Sequence, residues 1–310
     1  MLHSKRSIPL LLLILADVSW GGQESQSLER RKYLFPAWEE AVKLTDVERY
    51  STKDEYIAAR DSRYQLEKIR YRSDGFAVIA YFFRPRKSDG IKRPVIVFNR
   101  GSYLRGDIAP ELLTMFNRLA EAGFAVVAPM YRGSDGGEGR DEMGGADLND
   151  LLNIMPVLSQ LGSLDTRNVF LYGQSRGGMM VFQAIRDGFP ARAAATFGAF
   201  TDLGEITSAG EGAATAKSIF PDFEERRDEV ISRRSALRWP ERLGVPLLLM
   251  HGSEDSAVPP AQTLLLATQL AKMKKEFGVI IFPGGNHILR HHRIERDRQV
   301  VEFFRRYLIK

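Results

Sequence analysis

The chain reads as an α/β protein: a mostly parallel, doubly wound sheet with helices on both faces. Three observations predict this. Short apolar runs rich in β-branched residues recur from residue 94 on: PVIVF (94–98), FAVVAPM (124–130), NVFLYG (168–173), AAATFGAF (193–200), VPLLLMHG (245–252) and GVIIFPGG (278–285). Helix-length amphipathic segments separate them, among them 110–122, 147–161, 178–186, 260–275 and 294–308. The runs are continuous rather than alternating, which means strands buried on both faces.

The elements follow in order. Residues 1–22 have the layout of a secretory signal: Lys5 and Arg6, then an apolar run of nine (IPLLLLILA, 8–16), then Ser19, Gly21 and Gly22. That run is far short of the ~20 residues needed to span a bilayer, so no membrane span is expected. The protein is therefore expected to be exported, periplasmic or secreted, with an uncleaved N-terminal anchor as the alternative. Residues 23–63 read as a helical extension, with helical spacing in WEEAVKL (38–44) and a capping-type start at Ser51-Thr52-Lys53-Asp54-Glu55. Stretches at 66–71 and 76–83, split by Ser73-Asp74-Gly75, read as a hairpin. The catalytic domain is expected over 64–310. Residues 201–243, charged and mostly helical, interrupt its rhythm as a lid-like insertion. In the last helix Ile294, Val301, Phe304 and Leu308 fall on one stripe.

Composition narrows the chemistry. With 310 residues, 44% hydrophobic and 27% charged, the chain is globular rather than disordered. Lys and Arg number 44 against 39 Asp and Glu, a net +5, too evenly mixed to indicate nucleic acid. No cysteine is present, which removes disulfides, thiolate metal sites and cysteine nucleophiles. Any imidazole chemistry must use His3, His251, His287, His291 or His292.

The motif that carries chemistry is Gly173-Gln174-Ser175-Arg176-Gly177-Gly178, between a buried strand and a helix. A G-x-S-x-G turn in that context holds a serine at its tip with the hydroxyl exposed. A phosphate-binding turn is the alternative, but neither glycine fingerprint of that kind is present. A serine hydroxyl needs a base, and the base an orienting acid, each expected on a later strand-end loop. His287 follows the run at 278–282 and Asp255 the run at 245–250. Asp202 and the adjacent Glu254 are the rival acids. His251, at a strand end, is expected to pack or hydrogen-bond inside, and His291 and His292 to start a solvated helix. The oxyanion donors are expected to be the backbone N–H groups of Arg176 and Ser102, with Tyr103 second to Ser102. Residues 133–150 carry Asp135, Glu138, Asp141, Glu142, Asp147 and Asp150. They match no EF-hand spacing. They read as a loop whose last aspartates cap the next helix, so no metal is expected.

Together SDGFAVIAYFFRP (73–85), PMYRGSDGGEGRDE (129–142), GQSRGG (173–178), HGSEDSAVP (251–259) and PGGNH (283–287) resemble the α/β-hydrolase superfamily, and within it the prolyl oligopeptidase-like (S9) catalytic domain. The resemblance runs from about residue 64 to the C-terminus. It implies the α/β-hydrolase fold and a catalytic triad of Ser175, Asp255 and His287, favouring Asp255 over Asp202. Three departures point toward an esterase. Only some 40 helical residues stand where many such peptidases carry a β-propeller. The family's His-Gly-Gly reads Arg100-Gly101-Ser102. Its oxyanion tyrosine falls on Asn99. The expectation is a serine hydrolase, carboxylesterase or S9-type peptidase, that cleaves an ester or peptide bond of a small substrate through an acyl-enzyme, without cofactor, metal or nucleic acid. A catalytically silent binding protein on the same fold is the alternative from another class.

Overall fold

A computed structural model of the chain describes residues 28–103, 105–208, 210–220 and 222–310. The expected signal segment at 1–22 lies outside them. Among the described residues no helix is long and apolar enough to cross a membrane.

The described residues open with a strand, β1 (Glu29–Lys32), followed by three short helices, α1 (Trp38–Leu44), α2 (Val47–Tyr50) and α3 (Lys53–Arg60). The first is a correction to the wholly helical extension. β1 is four exposed, charged residues with no alternation, and it pairs antiparallel through its backbone with the next strand. Charge on such an outer edge discourages further pairing. Helix α3 starts as expected: Thr52 and Glu55 form a reciprocal capping box.

Strands β2 (Tyr64–Ser73) and β3 (Phe76–Pro85) form the hairpin. Its two turn residues, Asp74 and Gly75, have φ of +49° and +84°, the twist that suits a two-residue hairpin. The chain continues through β4 (Arg93–Asn99), α4 (Ala109–Glu121), β5 (Ala125–Pro129), α5 (Leu148–Leu152), α6 (Ile154–Gln160), β6 (Leu164–Gln174), α7 (Arg176–Arg186) and β7 (Ala194–Phe197). The insertion holds α8 (Leu203–Ile206), α9 (Gly210–Ile219), α10 (Arg227–Arg234) and two 3-10 turns. Then come β8 (Leu247–Gly252), α11 (Ala261–Lys272), β9 (Phe277–Phe282) and α12 (Arg293–Arg305).

One nine-stranded sheet runs β1-β2-β3-β5-β4-β6-β7-β8-β9. β1 to β3 are antiparallel, as is the β3–β5 pair, and every other pair is parallel. Two cores form, one on each face. Phe83, Phe98, Phe116, Phe170 and Phe304 pack under α4 and α12. Val97, Leu171, Met180, Leu249 and Leu266 pack under α7 and α11. This is the α/β-hydrolase fold.

Two helices differ from the pattern read in the sequence. The segment 147–161 is split at Asn153. Pro156 has no N–H for the Leu152 carbonyl, so the helical ladder cannot run through. In α12 the buried face is Arg296, Asp297, Val300, Val301, Phe303 and Phe304, while Ile294 is 61% exposed. A buried ion-pair cluster, Asp297 with Arg296 and Arg118, takes the place an apolar stripe would fill.

Candidate active site

Ser175 sits between the end of β6 and the start of α7 with φ +53° and ψ −122°, a strained backbone for a non-glycine residue. The glycines around it are required by contact. A Cβ on Gly177 would overlap the Asn99 carbonyl, and one on Gly173 the Gly177 carbonyl. The backbone N–H of Ser175 donates to the Phe197 carbonyl at 2.9 Å, tying the turn to β7.

The loops after β8 and β9 bring two further groups to this turn. The His287 ring lies between Asp255 and Ser175. Nδ1 is 2.8 Å from Asp255 Oδ2 and Nε2 is 2.9 Å from Ser175 Oγ. An ionised carboxylate only accepts, so Nδ1 carries the proton and the Nε2 lone pair faces the serine hydroxyl. The other carboxylate oxygen of Asp255 accepts the N–H groups of Ala257 and Val258, both at 2.9 Å. Burial raises the Asp255 pKa. Hydrogen bonds from His251 and His287 outweigh burial and hold the group well below the usual carboxylate range.

His251 hydrogen-bonds inside, as the sequence suggests, and one of its partners is the acid itself. It is fully buried, and its Nε2 lies 2.9 Å from the Val258 carbonyl and 3.0 Å from Asp255 Oδ2. A carbonyl cannot donate, so Nε2 bears the proton and Nδ1 accepts from the Thr263 hydroxyl at 2.8 Å. Asp255 therefore receives two imidazoles on one oxygen. The rival acid Asp202 is used elsewhere: its Oδ1 caps α8 at Gly204 N–H and takes the Ser235 hydroxyl. His292 bonds the Pro283 carbonyl and stacks on Phe282, away from the serine.

The loop after β4 lies against the nucleophile turn. A Cβ on Gly101 would stand 3.3 Å from Ser175 Cβ. Ser102 has φ +64°. The N–H of Arg176 opens α7 and has no helical acceptor. Among the described residues the N–H groups of Ser102 and Tyr103 donate to no protein acceptor. Asn99 is fully buried and does not supply a side-chain donor. Its amide NH₂ donates to the Val97 carbonyl and its Oδ1 accepts the Tyr131 hydroxyl.

Two buried guanidinium groups underlie this loop. Arg176 Nη1 and Nη2 donate to the two oxygens of Asp141 at 2.7 and 2.6 Å, and Nη2 also to Asp147 at 2.7 Å. Burial lowers the Arg176 pKa, but the fields of Asp141 and Asp147 more than reverse this, so it stays charged. Arg100 is pulled down to about 10, by burial and then by the like charge of Arg176. Both guanidinium groups lie against the Tyr131 ring, Arg100 at 5.1 Å and Arg176 at 4.7 Å from its centre.

The acidic loop is thus an ion-paired structure. Asp135 pairs with Lys68, Glu138 takes the Ala77 N–H, Glu142 takes the Ala146 N–H, and Asp150 grips Arg132. The expected cap at Asp147 is not made: its carboxylate bonds Arg176 and the N–H groups of Gly144 and Gly145 instead. Among the described residues no cluster of three or more His, Cys, Asp or Glu is placed to hold a metal.

An α/β-hydrolase sheet with Ser, His and Asp joined in one hydrogen-bonded chain above its strand ends defines a serine hydrolase. Comparison with known proteins places it further. The sequence profile of the prolyl oligopeptidase family matches residues 111–310, and the chain belongs to that family. An uncharacterized peptidase of Bacillus subtilis, YtmA, is 29% identical over 180 residues, covering 56% of this chain and 69% of the relative. The acylamino-acid-releasing enzyme of Rattus norvegicus is 27% identical over 199 residues, covering 58% of this chain and 26% of its own. Among solved structures, the Pyrococcus horikoshii acylaminoacyl peptidase superposes with a TM-score of 0.69 at 25% identity, covering 84% of this chain and 44% of that one. Against those last two the chain spans less than half of the longer protein.

Proposed function

We propose that the protein hydrolyses small ester, amide or short-peptide substrates through an acyl-enzyme on Ser175. The observation that carries this is the His287 ring, 2.9 Å from Ser175 Oγ on one side and 2.8 Å from Asp255 on the other. His287 takes the serine proton as Oγ attacks the carbonyl carbon, then returns it to the leaving alcohol or amine. Asp255 fixes the tautomer and stabilises the imidazolium. The N–H groups of Arg176 and Ser102 receive the oxyanion. A water then repeats the sequence and releases the acid. Kinship with proteins named as peptidases supports the amide-cleaving side of this reading. The helical insertion, packed beside α7, supports a role in shaping the substrate pocket.

The Ser175→Ala variant is expected to lose hydrolysis and fluorophosphonate labelling together; continued labelling would rule the nucleophile out. A panel of p-nitrophenyl esters beside aminoacyl and N-acylaminoacyl anilides divides esterase from peptidase. Turnover of the anilides within about a hundredfold of the esters supports a peptidase. Export is part of the proposal, supported by the charged, apolar and small-residue layout of 1–22. Recovery of the whole protein in the cytoplasm would count against it.

A further inference from the structure

We infer that Asp141 and Asp147 of the acidic loop are positioning residues for the oxyanion hole, acting through Arg176 and its neighbour Arg100. The inference rests on the reading of Ser175 as the nucleophile and adds to it what sets the hole's shape.

The geometry starts at two carbonyls. The Gly101 oxygen accepts from Arg100 Nη1 at 3.0 Å. The Ser102 oxygen accepts from Arg100 Nη1 and from Arg176 Nη1, each at 3.0 Å. A trans peptide unit is planar, with its C=O and N–H pointing opposite ways. The N–H of Ser102 is therefore turned away from the guanidinium groups by the first contact, and the N–H of Tyr103 by the second. Two consecutive N–H groups facing one side make an anion-binding concavity. They do so on a loop whose Gly101 lies against Ser175. The left-handed φ of +64° at Ser102 is costly for a serine and needs such anchoring.

The anchors need the aspartates. Arg100 and Arg176 are both buried against Tyr131 and donate to the same Ser102 carbonyl, and two like charges there would repel. Asp141 takes two hydrogen bonds from Arg176, lies 3.6 Å from Arg100, and is itself fully buried. Asp147 takes a third from Arg176. The four charges sum to zero. Arg100 is also held by the Met130 carbonyl and the Ser134 hydroxyl, so its fork cannot follow if Arg176 shifts. Arg at 100, where the resemblance expects histidine, and Arg at 176, beside the nucleophile, thus belong to one device with the acidic loop.

The test is kinetic, on the full chain. Asp141→Asn and Asp147→Asn are expected to lower kcat on a p-nitrophenyl ester about 10- to 100-fold, somewhat less than deleting a donor outright. KM should stay within about twofold. Affinity for a trifluoromethyl ketone, whose hemiketal oxyanion must occupy the hole, should fall by the same factor as kcat/KM. Glu138→Gln, in the same loop but facing Arg72 and β3, should change none of these. Should either aspartate variant fail to fold, Arg176→Lys keeps the charge and cannot hold Asp141, Asp147 and the Ser102 carbonyl at once. It should show the same parallel loss. Folded variants that keep kcat, or that lose kcat while the ketone binds as before, overturn the inference. Those outcomes require a wild type that turns over ester and labels with fluorophosphonate. A wild type that does neither defeats the hydrolase reading and, with it, this one.

Discussion

Asp255 is the residue on which the site's electrostatics converge. One of its oxygens takes two imidazoles and the other two backbone N–H groups. Replacing it with Asn leaves a group that would donate toward the ring, so the wrong His287 tautomer is favoured, and kcat should fall by roughly 10⁴. Its titration also couples to stability. In the unfolded chain the carboxyl titrates near ~3.9, and in the fold it titrates lower. Between those values the unfolded state binds more protons, so stability rises with pH. The contribution is complete above the ordinary carboxylate range and is lost as pH falls below about 4. Thermal midpoints measured from about pH 3 to 6 should show an acid limb that Asp255→Asn flattens; equal slopes would refute the assignment. His251→Gln removes one bond from the same oxygen and should lower kcat about tenfold. Ser175, His287 and Asp255 are candidates from the sequence because each lies in the turn or loop after a strand-like run, the family resemblance favouring Asp255 over Asp202. The link from His251 to Asp255 could not, since strand spacing does not say which way a loop carboxylate four residues on will turn.

At the scale of elements, the nucleophile turn is where strand, loop and helix approach most closely. A methyl on Gly177 would meet the Asn99 carbonyl, which belongs to β4 and cannot withdraw alone. Gly177→Ala should therefore cost about 3 kcal/mol or more in urea unfolding and reduce activity with it. Thr52→Ala is the opposite case. It removes half of an exposed capping box and should cost about 1 kcal/mol while leaving kcat and KM unchanged. Both motifs were legible in the sequence because turns and caps obey local rules. β1 was not legible: Glu29, Arg30, Arg31 and Lys32 have no strand-forming pattern, and only the free edge of β2 makes them one. The break at Asn153 could have been found from Pro156, but apolar spacing continues across it and hides the missing N–H. The buried face of α12 escaped because it is built partly on an ion-pair cluster, which an apolar stripe does not register.

Taken whole, the molecule joins three segments that are remote in sequence: the acidic loop, the nucleophile helix α7 and the helical insertion. Arg234 of α10 is the rivet. It is buried, and it donates to the carbonyls of Met143 at 2.6 Å and Glu142 at 3.0 Å while its guanidinium lies 4.5 Å from the Phe220 ring. From α7, Gln183 and Arg186 both donate to the Arg233 carbonyl beside it. Burial, the largest influence, lowers the Arg234 pKa to about 10, so it remains charged at neutral pH and its carbonyl contacts are charge-assisted. A mostly parallel sheet covered by helices could be anticipated from the runs of apolar residues, but this cross-linking could not, because carbonyl acceptors leave no mark in a sequence. Arg234→Met keeps an apolar stem and removes the guanidinium, with its two loop contacts and its place over the Phe220 ring. The sheet and its two cores do not depend on those contacts, so the global unfolding midpoint should move by only a few degrees. The insertion should instead open locally, and proteolytic cleavage within 203–243 should accelerate severalfold. Where the insertion also shapes the pocket, kcat/KM should change for bulky esters while that for p-nitrophenyl acetate holds. Unchanged proteolysis and an unchanged bulky-to-small ratio would show that the insertion does not depend on Arg234, the Arg233 bonds to α7 and to the Gly145 carbonyl of the acidic loop sufficing to hold it.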